Sequence, residues 1–138
     1  MSTTPDDPNT AVIEEFRAND GKVGGYFEGM RLVLVHHTGA KSGTERVNPL
    51  AYLPVGEGYA IFASKNGAPK NPHWYHNLLA HPRTKIETGD QELEVVAREA
   101  KGEERDRIYN EMIELRPQFG EYQEKTDRVI PVVVLEPV

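Results

Sequence analysis

Residues 31–64, RLVLVHHTGAKSGTERVNPLAYLPVGEGYAIFAS, carry three strand-forming runs separated by two turns, and their order decides the fold. Arg31–His37 is dense in apolar and β-branched residues and stops at Thr38-Gly39, the pattern of a strand ending in a turn. Arg46–Val55 follows, and Tyr59–Ser64 comes after Gly56-Glu57-Gly58, so these two runs read as a β-hairpin. Pro49 lies inside the middle run, and because proline donates no ladder hydrogen bond it predicts an edge or a bulge.

Toward the C-terminus a helix is expected over Pro72–Ala80, with Asn71 as N-cap, Pro72 in the first helical position and Pro82 closing it. Lys85–Thr88 and Gln91–Glu99 form a second hairpin around Gly89-Asp90, with Leu93, Val95 and Ala97 alternating. Glu103–Leu115 reads as a helix with the stripe Ile108, Met112 and Leu115, acids in its first turn, and Arg116-Pro117 at its end. A shorter helix over Gln118–Lys125 precedes a closing strand, Val129–Glu136, whose Pro131 marks an edge or a strand start. Toward the N-terminus, Gly21, Gly24 and Gly25 interrupt any helix. Before them, Ala11–Asn19 sets Val12, Ile13 and Phe16 on one side, as in a short amphipathic helix. Residues 1–20 are therefore expected to be a flexible tail able to form a short helix, and residues 21–138 a single domain. Hairpins dominate and no βαβ series occurs. The expected class is mainly β with helices (α+β): about six mostly antiparallel strands curled into a small barrel.

The chain has 138 residues, 38% hydrophobic and 28% charged, which suits one globular domain. It has no cysteine, which excludes a disulfide scaffold, thiolate catalysis and an iron–sulfur cluster. No apolar run approaches the ~20 residues of a membrane span. The polar start lacks the centre of a signal peptide, so a cytoplasmic protein is expected. Glu14 and Glu15 on the first helix limit any contact with the inner face of the plasma membrane to a weak peripheral one. A net charge of −6 argues against nucleic acid as a partner. From His36 to His76, however, Lys41, Arg46, Lys65 and Lys70 outnumber Glu45 and Glu57, so the acidic chain has one basic stretch suited to a small anionic ligand.

Three segments bear on chemistry. The loop HTGAKSGTERVNP, His37–Pro49, combines Gly39 and Gly43, which let N–H groups converge, with Ser42 and Thr44 hydroxyls and the charges of Lys41 and Arg46. Such a set suits phosphate or carboxylate; a hydrophilic turn with solvated charges is the alternative. ASKNG, Ala63–Gly67, would let a flat ring approach the backbone while Lys65 reaches the same anion, or is an ordinary Asn-Gly turn. PHWYHN, Pro72–Asn77, places a helix N-terminus, an aromatic wall in Trp74 and a hydrogen-bonding side chain in Asn77 together, although Trp74 and Leu78 equally suit packing on the barrel. A metal site is not expected: His36 and His37 are adjacent and face opposite ways, His73 and His76 are three apart, and H-E-x-x-H is absent. G-x-S-x-G and G-x-G-x-x-G are absent too, which removes the signatures of a serine hydrolase and a Rossmann dinucleotide site.

Taken in order, HTGAKSGTERVNPLAYLP, ASKNGAPKNPHWYHNLLAHP and FGEYQEKTDRVIPVVVLE resemble the deazaflavin-dependent nitroreductase family, an actinobacterial group of flavin/deazaflavin oxidoreductases, over roughly residues 26–137. The resemblance implies an FMN-binding-like split β-barrel and the 8-hydroxy-5-deazaflavin coenzyme F420, with FMN as the alternative cofactor. It places the coenzyme's phosphate and polyglutamate tail on Lys41, Ser42, Gly43 and Arg46, and its ring against Pro49, Leu50, Ala63, Ser64, Lys65, Asn66 and Gly67, with Trp74 and Asn77 nearby. Many members carry Arg at the position of Ala40 and Gly at that of Asn66. Pocket tyrosines of some members fall near Phe119, Tyr122 and Lys125, of which only Tyr122 is a tyrosine here, so the candidate proton sources are Tyr122, as a catalytic residue, and solvent. The implied reaction is hydride transfer from reduced F420 to a quinone, an activated alkene or a nitroaromatic. A non-catalytic F420 carrier and an FMN- or haem-binding barrel are the other readings. The expected partner is a small-molecule electron acceptor, and the expected assembly a monomer or homodimer.

Overall fold

The computed structural model describes residues 8–24, 31–68, 70–89 and 91–138. Its strands are β1 (Leu32–Thr38), β2 (Glu45–Val55), β3 (Gly58–Phe62), β4 (Arg83–Glu87), β5 (Glu92–Ala100) and β6 (Val132–Pro137), and its helices α1 (Pro8–Ala18), α2 (His73–Ala80), α3 (Gly102–Leu115) and α4 (Gln118–Glu124). The strands close in the order β1-β2-β3-β6-β5-β4, with β4 pairing back to β1 and every pairing antiparallel. Residues 1–7 of the expected tail, Gly25 and Asp90 lie outside the described residues, as does the side chain of Asn66.

Strand alternation divides the core. Val33 and Val35 of β1, Ile61 of β3, Ile86 of β4, Val95 of β5, and Val133 and Leu135 of β6 form one buried cluster, which in a closed barrel is its interior. Trp74, Tyr75 and Leu78 of α2 pack into it. The opposite faces are covered as well. Ala60, Phe62, Val132 and Val134 lie beneath Ile108, Tyr109 and Met112 of α3 and Phe119 of α4, and Leu32 and Leu34 lie beneath Phe16 of α1. Two-sided burial explains why LVLV in β1 and VVVL in β6 are unbroken apolar runs.

Pro49 pairs with Leu34 of β1, whereas β3 pairs with β2 only from Tyr52 to Val55. The proline thus sits where β2 outruns its second neighbour, a local edge inside a closed barrel. Four expectations need correction. α1 starts at Pro8, and its Phe16 is 2% exposed, so this stretch is docked on the barrel. Asn71 does not cap α2: Pro72 holds the cap position, and the Asn71 amide oxygen accepts a bond from the Arg128 guanidinium. Leu115 is 58% exposed, and Tyr109 takes its expected place in the buried stripe of α3. β6 starts at Val132, just after Pro131, and Val129 is exposed.

Candidate functional site

β1 carries the site because its last inward residue is His37. Val33, Val35 and His37 share the interior face, and at the end of the strand the imidazole meets polar partners in place of valines. Its Nε2 lies 2.7 Å from Asn48 Oδ1 on β2, and its Nδ1 lies 2.9 Å from Asn77 Nδ2 on α2. The same Asn77 accepts the Ala40 N–H on Oδ1 at 3.0 Å, which fixes its amide with the NH2 toward His37. His37 Nδ1 therefore accepts, and the ring proton resides on Nε2 and is donated to Asn48. Burial lowers the His37 pKa and the Arg46 charge adds to this, although the bond to Asn48 opposes both. Sequence reading did not single out His37 as a site residue. Its signal was a polar residue continuing the inward period of a buried strand.

Above His37 opens a cleft of about 750 Å³. The loop after β1 supplies Gly39, Ala40, Lys41 and Ser42, β2 supplies Arg46 and Asn48, and the α2 end supplies Pro72, His73, Trp74, His76 and Asn77. Lys65 reaches in from a 3-10 turn, Lys65–Gly67, after β3. Three full cations thus line it with no carboxylate among the described lining residues, on a chain of net charge −6. The first turn of α2 adds unpaired N–H groups at the same wall. Trp74, the one tryptophan, is 5% exposed: it packs into the barrel interior and also lines the cleft.

The loop binds its own backbone more than expected. Gly39 N–H bonds to Thr44 O, Gly43 N–H to Gly39 O, Thr44 N–H to Ser42 Oγ and Ala40 N–H to Asn77. Those of Lys41 and Ser42 have no partner among the described residues, so the N–H cradle is small and the cations dominate. Gly43 takes φ +71° with open space around it.

Six of the residues expected at the site line the cleft: Lys41, Ser42, Arg46, Lys65, Trp74 and Asn77. Asn77 is 7% exposed with both amide ends engaged, so it orients the loop. Pro49, Leu50, Ala63, Ser64, Gly43 and Gly67 stand outside the lining. Leu50 packs toward the interior, and Ala63 is wholly buried there. A Cβ on Gly67 would lie 2.9 Å from Tyr122 O and 2.9 Å from Lys125 Cβ, so the close approach it permits is to α4. Tyr122 also lies outside the lining, its ring edge-on to Phe119 at 5.2 Å. Lys65 adopts φ +46°, a left-handed conformation costing a non-glycine residue about 1–2 kcal/mol.

His36 turns outward, as alternation requires. Its Nε2 is 2.8 Å from Glu87 Oε2, and Arg17 of α1 bonds both oxygens of the same carboxylate at 3.0 and 2.6 Å. Glu92 brings a third ligand-type atom within 4.8 Å of this pair. Residues 36, 87 and 92 are too far apart in the chain for any spacing rule to join them. Arg17 already neutralises Glu87 and holds its pKa below the usual carboxylate range.

A closed antiparallel six-stranded barrel with an inserted helix beside the cleft defines a split-barrel, FMN-binding-like protein. The haem storage protein HutZ from Vibrio cholerae shares this fold at 16% identity and a TM-score of 0.60, over 94% of this chain and 90% of that one. The profile of the F420H(2)-dependent quinone reductase family matches residues 10–137, and the chain belongs to that family of F420-dependent oxidoreductases. The F420H(2)-dependent quinone reductase of Mycobacterium tuberculosis H37Rv is 38% identical over 126 residues, 87% of this chain and 83% of that one. A solved F420-H2 dependent reductase is 45% identical with a TM-score of 0.70, covering 77% of this chain and 94% of that one. Another solved chain, described as a domain-swapped dimer, is 42% identical with a TM-score of 0.72, covering 92% and 93%.

Proposed function

We propose that this protein binds reduced F420 in the cleft above His37 and passes a hydride to a quinone, with activated alkenes and nitroaromatics as further acceptors. One observation carries the reading: Lys41, Arg46 and Lys65 line one cleft beside Trp74 with no carboxylate among its described lining residues. This donor set fits a cofactor that joins an aromatic ring to an anionic tail. The deazaflavin, when bound, supplies the hydride chemistry. Lys41 and Arg46 hold anionic groups of the tail, and Ser42 and the α2 N-terminus add hydrogen-bond donors. Lys65 closes the cationic wall from the other side, and Trp74 gives the ring an apolar flank. Asn77, anchored by His37, keeps the loop at its distance from the helix. Because Tyr122 is not among the residues lining the cleft, we assign protonation of the product to solvent at the open cleft. The anionic F420 tail, and not the chain's overall acidity, then governs binding, in a monomer or homodimer.

Trp74 gives the test a local reporter. Titration with F420, FMN and FAD, followed by tryptophan fluorescence, should show quenching by F420 at the lowest concentration. Reduced F420 mixed with menadione should lose its reduced-state absorbance faster with the protein than without it. Tight F420 binding with no acceptor reduced would make the protein a carrier; preferential FMN binding would overturn the cofactor.

A further inference from the structure

We infer that Arg128 is a positioning residue for the cleft, holding the strained turn that carries Lys65. Its guanidinium, which is not among the residues lining the cleft, bonds to both ends of that turn. Nη2 donates to Ser64 O at 3.0 Å just before the turn, Nε donates to Ala68 O at 2.9 Å just after it, and Nη1 donates to Asn71 Oδ1. Between those two carbonyls Lys65 holds φ +46°, a conformation a lysine leaves unless its neighbours are pinned. The planar fork of an arginine matches three acceptors spread in this way, and an ammonium does not.

Arg128 is itself anchored. Its carbonyl accepts the Gln123 side-chain N–H at 2.7 Å, and Gln123 Oε1 accepts from Ile130 N and from Arg105 of α3. The turn is thereby tied to α3, α4 and the start of β6. No carboxylate among the described residues pairs with Arg128, so its charge is met by neutral carbonyls and an amide. Three donors on acceptors around one turn serve geometry more than charge neutralisation.

The inference rests on the reading of the cleft as the F420 site, and the test separates the two. F420 affinity is measured by Trp74 fluorescence in wild type, Lys65→Met, Arg128→Met and the double variant, with thermal melts to confirm folding. Each single change should weaken binding about tenfold, and the double should be no more than about twofold weaker than either, because Arg128 acts through Lys65. Arg128→Lys should recover little of the loss. Where Arg128→Met does not fold, Asn71→Ala removes one of the three acceptors, and the same cycle with Lys65→Met should show a smaller, equally non-additive loss. Losses that multiply in the double variant, or wild-type affinity in a folded Arg128→Met protein, would overturn the inference while leaving the site reading intact. Wild type that does not bind F420 overturns both.

Discussion

His37 has a proton on one nitrogen only because Asn77 has no freedom to turn. Protonating Nδ1 would face two donors across 2.9 Å, since the Asn77 oxygen is held by the Ala40 N–H. Burial is the main cause of its lowered pKa. The unfolded chain takes up this proton near pH 6.5 and the folded one only below that, so the unfolded state binds more protons in between. Stability is therefore full above pH 6.5 and is lost as the pH falls through the folded pKa. Melting temperature should drop between pH 7 and pH 5, and His37→Gln should flatten that drop; an equally steep wild-type and variant profile would contradict the assignment. Lys41 and Arg46 behave differently because both are exposed. Replacing both with alanine should weaken F420 binding about a hundredfold at low ionic strength, and by less in 0.5 M salt, where screening shortens the reach of exposed charge to about 4 Å. Their candidacy was legible because cations, glycines and hydroxyls fall within one loop. The His37–Asn77 bond joins residues 40 apart and the Arg128–Ser64 bond residues 64 apart, distances at which local pattern carries no information.

The contact between the Lys65–Gly67 turn and α4 depends on the absence of one carbon. Gly67 has φ +83°, and an added Cβ would press on Tyr122 O and Lys125. Both neighbours involve helix backbone or its first side-chain carbon, which cannot swing away. Gly67→Ala should therefore cost about 1–3 kcal/mol and weaken F420 binding by displacing Lys65; denaturant melts and the fluorescence titration check the two effects separately. An alanine variant as stable as wild type would show that the turn tolerates a shift of α4. Elements with a clear period were legible throughout: the hairpin of β2 and β3, the hairpin of β4 and β5, and α3. Misjudgements came where tertiary contacts override local preference. Asn71 is an excellent N-cap by type, yet its oxygen is taken by Arg128. Leu115 has the right spacing for the stripe, yet it is exposed, whereas Tyr109 is buried in the cluster beneath α3 and donates its hydroxyl to Phe119 O at 2.6 Å. The stretch around Phe16 looked like tail because its burial depends on Phe16 finding Leu32 and Leu34.

At the scale of the whole molecule, the titratable groups that tie helices to the barrel set the pH limits of the fold. α1 is tied through Arg17 to Glu87, whose pKa lies below 4.5 chiefly because of that guanidinium. This tie is intact above pH 4.5 and is lost as the pH falls through the folded value, a further acid step beside that of His37. α2 is tied through Tyr75, whose hydroxyl donates to Glu99 Oε1 at 2.9 Å, and α3 is tied to α4 through Tyr109. Burial raises both phenols to about 12, with Glu99 adding to the effect on Tyr75. In the unfolded chain each ionises near pH 10, so between pH 10 and 12 the folded state binds more protons and stability falls as the pH rises. Melting temperature plotted from pH 3 to 12 should form a dome with its top between about pH 7 and 10. Tyr109→Phe should lower the neutral plateau by about 1 kcal/mol, because Phe119 O loses its donor, and should also make the alkaline limb shallower. Tyr75→Phe should make that limb shallower too, since a phenylalanine has no proton to lose. If both variants fall as steeply as wild type between pH 9 and 11, the alkaline limit belongs to other groups, and the two tyrosines do not hold α2 to the barrel and α3 to α4 in the way their hydrogen bonds require.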